Sequence, residues 1–354
     1  MRGLTPARSI RPPASIVFGV LILILLLAAL IAVMTGAAGI PLSRLLPALG
    51  IGQGVPDALA RDQLVLWSIR LPRVALAAMV GALLAAAGAL MQGVFRNPLA
   101  DPALVGVSSG AALAAAVTIV VGDKFLLATI MTLPVEILPL AAFAGALAAT
   151  LVLYRIATHH SRTSIAIFLL GGLAIAALVN AGIGLLIFLA DDRQLRDITF
   201  WMLGSLGGAT WQKVLAVLPF LLATIAAMPM MARGLDLLVL GEAEAFHMGV
   251  AVERLKRIAI VVIALAIGAA VSVSGIIGFV GIVVPHLLRL VVGPGHRMLL
   301  PASLILGAAL MLCADTFART LASPAELPIG IVTAAIGAPF FLVLLLRHRS
   351  LVSL

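Results

Sequence analysis

Charged residues, aromatic residues and cysteines are all scarce in this chain. Asp, Glu, Lys and Arg make up 10% of its 354 residues, aromatic residues make up 5%, and Cys313 is the single cysteine. One cysteine excludes an intramolecular disulfide. The sequence contains no GxxxxGK[ST] phosphate-binding loop and no Cys/His cluster with metal-ligand spacing. It therefore predicts no P-loop ATP site, no metal site and no cofactor in this chain.

Long apolar runs dominate the sequence instead. Apolar residues account for 63% of the chain, and the mean hydropathy is +1.24. Only helices and closed barrels satisfy their backbone groups in lipid, and these runs lack the alternation of barrel strands. The sequence predicts an all-α polytopic membrane protein, with residues 1–354 forming one transmembrane domain. About ten spans are expected, near residues 16–36, 66–94, 105–121, 133–156, 163–190, 210–231, 258–274, 277–292, 298–321 and 327–347.

Membrane orientation explains the basic character of the chain better than nucleic-acid binding does. With the N-terminus in the cytosol, the ten spans place the whole net charge of +9 on the cytosolic side and leave the outer side neutral. This is the asymmetry that the positive-inside rule demands. Arg2, Arg8 and Arg11 precede the first span, and an even number of spans returns the basic tail 347–349 to the same side. We therefore predict cytosolic N- and C-termini and no nucleic-acid partner.

An internal repeat is found when the sequence is aligned with itself. The offset that takes Arg70 to Arg257 also superimposes five further pairs of identical residues, namely Gly81 on Gly268, Ala82 on Ala269, Gly88 on Gly275, Pro98 on Pro285 and Gly106 on Gly293. The first copy begins on the outer side and the second on the cytosolic side. This predicts an inverted repeat, which is typical of transporters whose pathway forms between the two copies.

Two polar or glycine-rich interruptions help to define the outer side. The stretch 191–211 is too polar for a span and predicts a short external helix. Within 258–292, the sequence VSVSGIIGFVGIVVP places several glycines and a proline where one long helix would otherwise run, so we predict two spans with a break near the outer face.

The interval 233–257 is the longest polar segment between apolar blocks. It reads RGLDLLVLGEAEAFHMGVAVERLKR, and Gly241 and Gly249 divide it into pieces of about two helical turns at most. Two interpretations fit the composition: an ordinary solvated loop, or a structured cytosolic surface on which a separate energy source acts.

Ion-coupled secondary transport is the main alternative from another class. Such transporters usually carry ionisable groups near the middle of the membrane. No carboxylate maps to the middle of a predicted span, because Asp315 falls near the outer end of its helix. Arg319 follows four residues later on the same helical face, so a local ion pair is one expected role for both. The absence of buried mid-membrane carboxylates disfavours this alternative.

Four stretches resemble the signatures of the FecCD family, the permeases of iron-complex and vitamin B12 importers of the ATP-binding-cassette class. They are RLPRVALAAMVGALLAAAGALMQGVFRNPLADPALVGVSSGA at 70–111, LGEAEAFHMGV at 240–250, SGIIGFVGIVVPHLLR at 274–289 and AELPIGIVTAAIGAPFFLVLLLR at 325–347. They occur in order and at the separations typical of the family, and the similarity extends over the chain from about residue 60.

The resemblance implies a fold, partners and site residues. It implies ten helices per subunit, a homodimer in the bacterial inner membrane, two cytosolic ATPase subunits that bind ATP and Mg²⁺, and a periplasmic substrate-binding protein. Arg70, Arg73 and Arg319 match family arginines that receive acidic residues of the binding protein, as exposed rim charges. The ATPase-coupling helices would comprise Leu240, Gly241, Glu242, Ala243, Glu244, Ala245, His247, Gly249 and Val250.

The resemblance also favours a substrate class. The stretches 191–211 and 314–330 are most similar to those of haem importers, whereas siderophore and vitamin B12 permeases share the general pattern. By the same resemblance the fifth and tenth spans would line the pathway. Asn180 on the fifth span is a candidate polar contact, and the alternative is a buried amide bonded to a neighbouring backbone.

Overall fold

A computed structural model describes residues 12–36, 40–51, 56–101, 106–125, 136–159, 162–323 and 325–352 of the chain. The basic N-terminal residues Arg2, Arg8 and Arg11 lie outside these ranges. The α-helices are α1 (Ala14–Met34), α2 (Leu42–Ala48), α3 (Pro56–Val65), α4 (Leu71–Val94), α5 (Val107–Phe125), α6 (Ile137–Ala157), α7 (Ile165–Leu189), α8 (Asp192–Leu203), α9 (Trp211–Leu238), α10 (Glu242–His247), α11 (Val252–Ser274), α12 (Val280–Val292), α13 (His296–Leu321) and α14 (Ile329–Val352). A π-helical turn, Leu66–Arg70, joins α3 to α4, and a hairpin of β1 (Thr158–His159) and β2 (Arg162–Thr163) joins α6 to α7.

Every predicted span coincides with an apolar helix of the structure. Within the ranges that the structure describes, seven helical stretches are long and apolar enough to cross a membrane, and shorter apolar helices occupy 107–122, 280–292 and 329–344. The predicted external helix is α8, whose first turn is closed by a capping box between Asp191 and Gln194. The predicted interruption lies between α11 and α12, at residues 275–279. The all-α polytopic fold is confirmed.

Two predicted boundaries are wrong. The second span does not begin at residue 66, because helical structure runs without a gap from α3 through the π-helical turn into α4. The predicted end of a span at residue 231 is also too early, because α9 continues to Leu238, so α9 and α11 extend into the polar interval 233–257 from either side, as far as Leu238 and Val252. The charged residues near these helix ends, such as Asp236 on α9 and Glu253 on α11, do not stop the helices, because the backbone hydrogen bonds continue through them.

The centre of the fold is α4. Every residue from Met79 to Val94 on this helix is buried, and α4 packs against α13, α11, α9 and α12. Its alanines and glycines permit this density, because small residues let neighbouring backbones approach closely. A Cβ atom at Gly81 would overlap the carbonyl oxygen of Gly307 on α13, and one at Gly88 would overlap the backbone of Gly281 on α12.

The packing of the helices matches the repeat found in the sequence. In the first copy α4, α5, α6 and α7 follow one another, and in the second copy α11, α12, α13 and α14 do so. The first helix of each copy packs against the third helix of the other, α4 on α13 and α11 on α6. Gly268 of α11 lies against the ring of Phe143 on α6 at this second contact. The two copies therefore exchange equivalent contacts.

Ion pairs cluster at the two ends of the helix bundle. Among the described residues, every ion pair joins two groups that the charge analysis predicts for the same side of the membrane. At the predicted cytosolic end, for example, Asp236 of α9 accepts the backbone N–H of His296 at 2.8 Å and lies 2.7 Å from its Nδ1. At the predicted outer end, Lys213 binds Glu136 at 2.9 Å.

Candidate functional site

A short helix, α10, forms the exposed part of the predicted coupling segment. Gly241 precedes it with φ +130° and Gly249 follows it with φ +84°, in a region of backbone space that favours glycine. The N–H of Ala245 donates to the carbonyl of Gly241 at 3.0 Å, and the N–H of Val250 donates to the carbonyl of Ala245 at 3.0 Å. The two glycines therefore reverse the chain direction on both sides of a closed helical turn.

The outward face of this segment is apolar. Ala245 is fully buried against the body of the protein, whereas Leu240, Phe246 and Met248 project outward, with Phe246 68% exposed. Phe246 and Met248 were missing from the residues predicted for this surface. Two large apolar side chains in the most polar interval of a membrane protein are the signal that would have identified them, because exposed apolar clusters mark interaction sites.

The position of α10 is fixed by a buried lysine that the sequence analysis did not single out. Lys256 of α11 is 2% exposed, and its Nζ donates to Glu242 Oε2 at 2.7 Å and to Glu253 Oε1 at 3.2 Å. The same ammonium group lies 3.4 Å from the carbonyl oxygen of Thr163 on β2. An ammonium with three acceptors is fully bonded, which offsets its removal from water.

The three arginines predicted for binding-protein docking lie together at the opposite end of the bundle, and they are buried. Arg73 donates through Nη2 to Asp315 Oδ1 at 2.9 Å and through Nη1 to Glu326 Oε1 at 2.8 Å. Arg319 Nε lies 3.6 Å from Asp315 Oδ2, and its Nη2 donates to the carbonyl of Ala32.

The expectation that these arginines are exposed rim charges is wrong. Arg70, Arg73 and Arg319 are 5%, 8% and 7% exposed, because α1, α4 and α13 close around them. Arg319 adopts the alternative predicted for it, an ion pair with Asp315 on the next turn of the same helix. Glu326 is the partly open member of the group, with a side chain that is 45% exposed. The docking role of the arginines stays a prediction.

Asn180 lies on an exposed face of α7. It is exposed in the single chain, so the core of this chain does not bury it, and both its contact with the pathway and the alternative of an amide bonded to a neighbouring backbone stay predictions. The other exposed side chains of this helix are apolar, and the most exposed among them are Leu170, Leu173, Leu178, Leu185 and Phe188. The helix α14 likewise exposes large apolar side chains. The predicted pathway-lining role of α7 and α14 stays a prediction.

Nothing in the described ranges forms a group of three or more His, Cys, Asp and Glu side chains of the kind that holds a metal ion. Ten apolar helices in the described ranges, a charged cluster at one end of the bundle and a protruding short helix at the other are the features of a multi-pass membrane protein. The model of the FecCD transport family matches residues 21–347, and the chain belongs to that family.

Similar proteins and structures agree with this assignment. The hemin transport system permease protein HmuU of Yersinia pestis is 46% identical over 282 residues, which cover 80% of this chain and 83% of that protein. The cobalamin import system permease protein BtuC of Halobacterium salinarum is 46% identical over 292 residues, 82% of this chain and 75% of that protein. A solved inward-facing structure described as a metal-chelate type ABC transporter matches with a TM-score of 0.80 and 34% identity, over 95% of this chain and all of that one. The protein is thus an importer permease of the ATP-binding-cassette class.

Proposed function

We propose that this chain is the translocating subunit of a haem importer. It works as a homodimer, with two ATPase subunits on the cytosolic face and a periplasmic binding protein on the outer face, in a bacterial inner membrane. Both termini are cytosolic in this arrangement. ATP and Mg²⁺ are bound by the ATPase subunits, and the permease contributes the pathway.

The observation that carries this proposal is the apolar outward face of α10. Phe246 and Met248 project from a helix held by two glycine turns and a buried lysine. A short rigid helix of this kind transmits rigid-body motion between subunits, whereas an unstructured loop would not. The charged residues pair with one another at the two ends of the bundle, and no carboxylate lies in the middle of the described spans for ion coupling.

The preference for haem over a siderophore or cobalamin is supported by the sequence around α8 and the start of α14. These two segments meet in the structure, where the N–H of Ile329 donates to the carbonyl of Gly204 at 3.0 Å. They would border the outer mouth of the pathway beside α7, whose exposed side chains are apolar apart from Asn180. An apolar wall suits a flat apolar macrocycle, since it offers contact area without ligating the iron.

Uptake into proteoliposomes tests the proposal. The permease is reconstituted with its cognate ATPase and binding protein, and haem, a ferric siderophore and cobalamin are offered in parallel. We expect ATP-dependent accumulation of haem at a rate at least tenfold above the other two. Preferred uptake of cobalamin or the siderophore would contradict the haem assignment. Uptake by the permease alone, driven by a proton gradient without ATP, would instead establish an ion-coupled secondary transporter.

A further inference from the structure

We propose that Lys256 is a positioning residue that connects the ATPase-coupling helix to the hairpin at the start of α7, so that displacement of α10 is transmitted to the helix that would line the pathway. The inference rests on the proposed coupling role of α10. The residues concerned are Lys256 and Glu253 on α11, Glu242 on α10 and Thr163 on β2, and together they are called the Lys256 group.

The ammonium group joins elements that are far apart in the sequence. Lys256 Nζ donates to Glu242 Oε2 at 2.7 Å on α10 and lies 3.4 Å from the carbonyl oxygen of Thr163 on β2. Glu253, one turn earlier on α11, accepts from Lys256 through Oε1 at 3.2 Å and from the backbone N–H of Thr163 through Oε2 at 3.0 Å. Both the N–H and the C=O of Thr163 are thus held by side chains of α11.

The connection continues from the hairpin into α7. Thr163 pairs with Thr158 across the hairpin, and their hydroxyl groups lie 3.1 Å apart. Ser164 follows directly and caps α7 by accepting the N–H of Ile167. A displacement of Thr163 therefore acts on the first turn of α7 with no flexible residue between them.

The charge and burial of the group explain why it moves as a unit. One lysine faces two glutamates, and Lys256 is 2% exposed while Glu242 and Glu253 remain 40% and 33% exposed at the side chain. Separating either carboxylate from the lysine would leave a buried, partly uncompensated charge, which is far less favourable than moving all three together. The same ion pairs on an open surface would be weak and would exchange readily with water.

The contacts of α10 with the rest of the chain are otherwise few. It touches α9, from which it follows, and α11, and its outward side chains are free to bind a partner. A force applied to Phe246 therefore reaches the membrane helices through the packing of Ala245, the chain connections at Gly241 and Gly249, and the Lys256 group. Of these, the Lys256 group is the one that contacts the hairpin before α7.

The test compares two variants with a matched control in the complete transporter. Lys256→Met removes the charge and keeps the length of the side chain. Glu253→Ala removes the acceptor of the Thr163 N–H at a partly exposed position, where loss of folding is not expected, and it leaves Lys256 bound to Glu242 and to the carbonyl oxygen of Thr163. Arg297→Ala removes an exposed positive charge at the same end of the bundle, outside the Lys256 group. ATP hydrolysis and haem uptake are measured together in proteoliposomes.

We expect the ATPase subunits to co-purify with both variants in wild-type amounts. The amount of haem transported per ATP hydrolysed should fall at least fivefold in Lys256→Met and in Glu253→Ala, and it should stay within twofold of wild type in Arg297→Ala. Unchanged ratios in both Lys256→Met and Glu253→Ala, in complexes that assemble and hydrolyse ATP, would overturn the inference and leave the proposed function intact. A wild-type permease that binds no ATPase would overturn the proposed function itself.

Hydrogen–deuterium exchange gives a second readout that does not depend on the substrate. Binding of the ATPase subunits should slow exchange in the peptide containing α10 and also in a peptide spanning 155–167. In Lys256→Met we expect the slowing at α10 to remain and the slowing at 155–167 to be lost. Retention of both would show that the hairpin responds by another route, and it would overturn the inference.

Discussion

Arg73 of α4 and Asp315 of α13 form a buried ion pair, in which the Nη2 of the arginine donates to Oδ1 of the aspartate at 2.9 Å. Asp315 also faces Arg319, so this one carboxylate contacts two buried guanidinium groups, of which Arg73 is bound by Glu326 as well. It joins the central helix to the helix with which that helix packs most extensively. Arg73 and Arg319, which are predicted to bind the binding protein, are therefore also part of the packing between α4 and α13.

Asp315→Ala should strongly destabilise the protein. Removing one partner of a buried ion pair leaves an uncompensated charge and costs about 3–5 kcal/mol. We expect a loss of this size in the free energy of unfolding in detergent, measured by denaturant titration. The control is Asp197→Ala, which removes the carboxylate of an exposed pair with Arg193 and should change stability by less than about 1 kcal/mol. Equal effects of the two substitutions would contradict the structural role of Asp315.

Glu326→Gln should strengthen docking of the binding protein. Glu326 occupies the Nη1 side of Arg73, so it competes with any acidic group that approaches from outside. Exposed pairs contribute about 1 kcal/mol or less, which predicts an increase in affinity of up to about fivefold that shrinks at high salt. Binding of the purified binding protein is measured at low and high ionic strength. Glu136→Gln, which frees Lys213 at a similarly exposed position, should leave the affinity unchanged. Weaker docking in Glu326→Gln would show that this carboxylate assists the partner instead of competing with it.

Gly81→Ala should weaken the contact between α4 and α13. The added methyl group would overlap the carbonyl oxygen of Gly307, and a backbone atom cannot rotate away as a side chain would. Overpacking of this kind costs about 1–3 kcal/mol. Thermal unfolding in detergent provides the measurement. Gly19→Ala on α1 is the control, because no atom lies within 4 Å of the new Cβ, and it should leave the unfolding temperature near wild type or slightly higher. An unchanged unfolding temperature in Gly81→Ala would mean that α4 and α13 can move apart to admit the methyl group without loss of stability.

Phe246→Ala should reduce the affinity for the ATPase subunits. Aromatic side chains at the centre of an interface commonly contribute about 2 kcal/mol or more, which corresponds to a change in affinity of more than tenfold. Because Phe246 is exposed in the permease, the unfolding temperature should stay at the wild-type value. Leu215→Ala is the control, since this leucine is also exposed but lies on a membrane-spanning helix. Wild-type affinity in Phe246→Ala would place the ATPase contact elsewhere.

Gly249→Pro should uncouple transport while the permease still folds and dimerises. The proline ring fixes φ near −65°, whereas Gly249 has φ +84°, so the turn after α10 cannot form. Glu242→Lys should act in the same direction, because it places a second positive charge beside Lys256. We expect ATP-driven uptake to fall at least tenfold, with the dimer unchanged in size-exclusion chromatography. Gly295→Pro is a matched control at the same end of the bundle, since its φ of −66° already suits proline. Unaltered uptake in Gly249→Pro would contradict the coupling role of this turn.

The sequence predicts well where the helices lie and where they are interrupted. Long apolar runs and glycine or proline breaks are local signals, and they locate α8 and the interruption at 275–279 without any knowledge of the fold. The two wrong boundaries also have a local cause. Helices of a membrane protein can extend into water, so the end of an apolar run is not the end of the helix, as α9 demonstrates.

The sequence does not predict which side chains meet. In α4 nearly every residue is small or apolar, so no pattern along the helix identifies the face that binds α13, and the partner of Arg73 lies 242 residues away. The burial of Lys256 is hidden for a similar reason, because it needs acceptors from α10 and β2 together. Phe246 is missed for the opposite reason, since a family signature directs attention to polar and glycine positions.

The backbone contacts around the gap between α11 and α12 have a mechanical consequence. Ser205 donates its N–H to the carbonyl of Ser274 at 2.8 Å, Ile329 donates to Gly204, and Gly275 lies against the carbonyl of Trp201. The segment after α8, the gap after α11 and the start of α14 are thereby joined by backbone groups, whose contacts a side-chain rotation cannot break. We therefore expect these three segments to move together, and relative motion of the helices to be larger at the opposite end of the bundle.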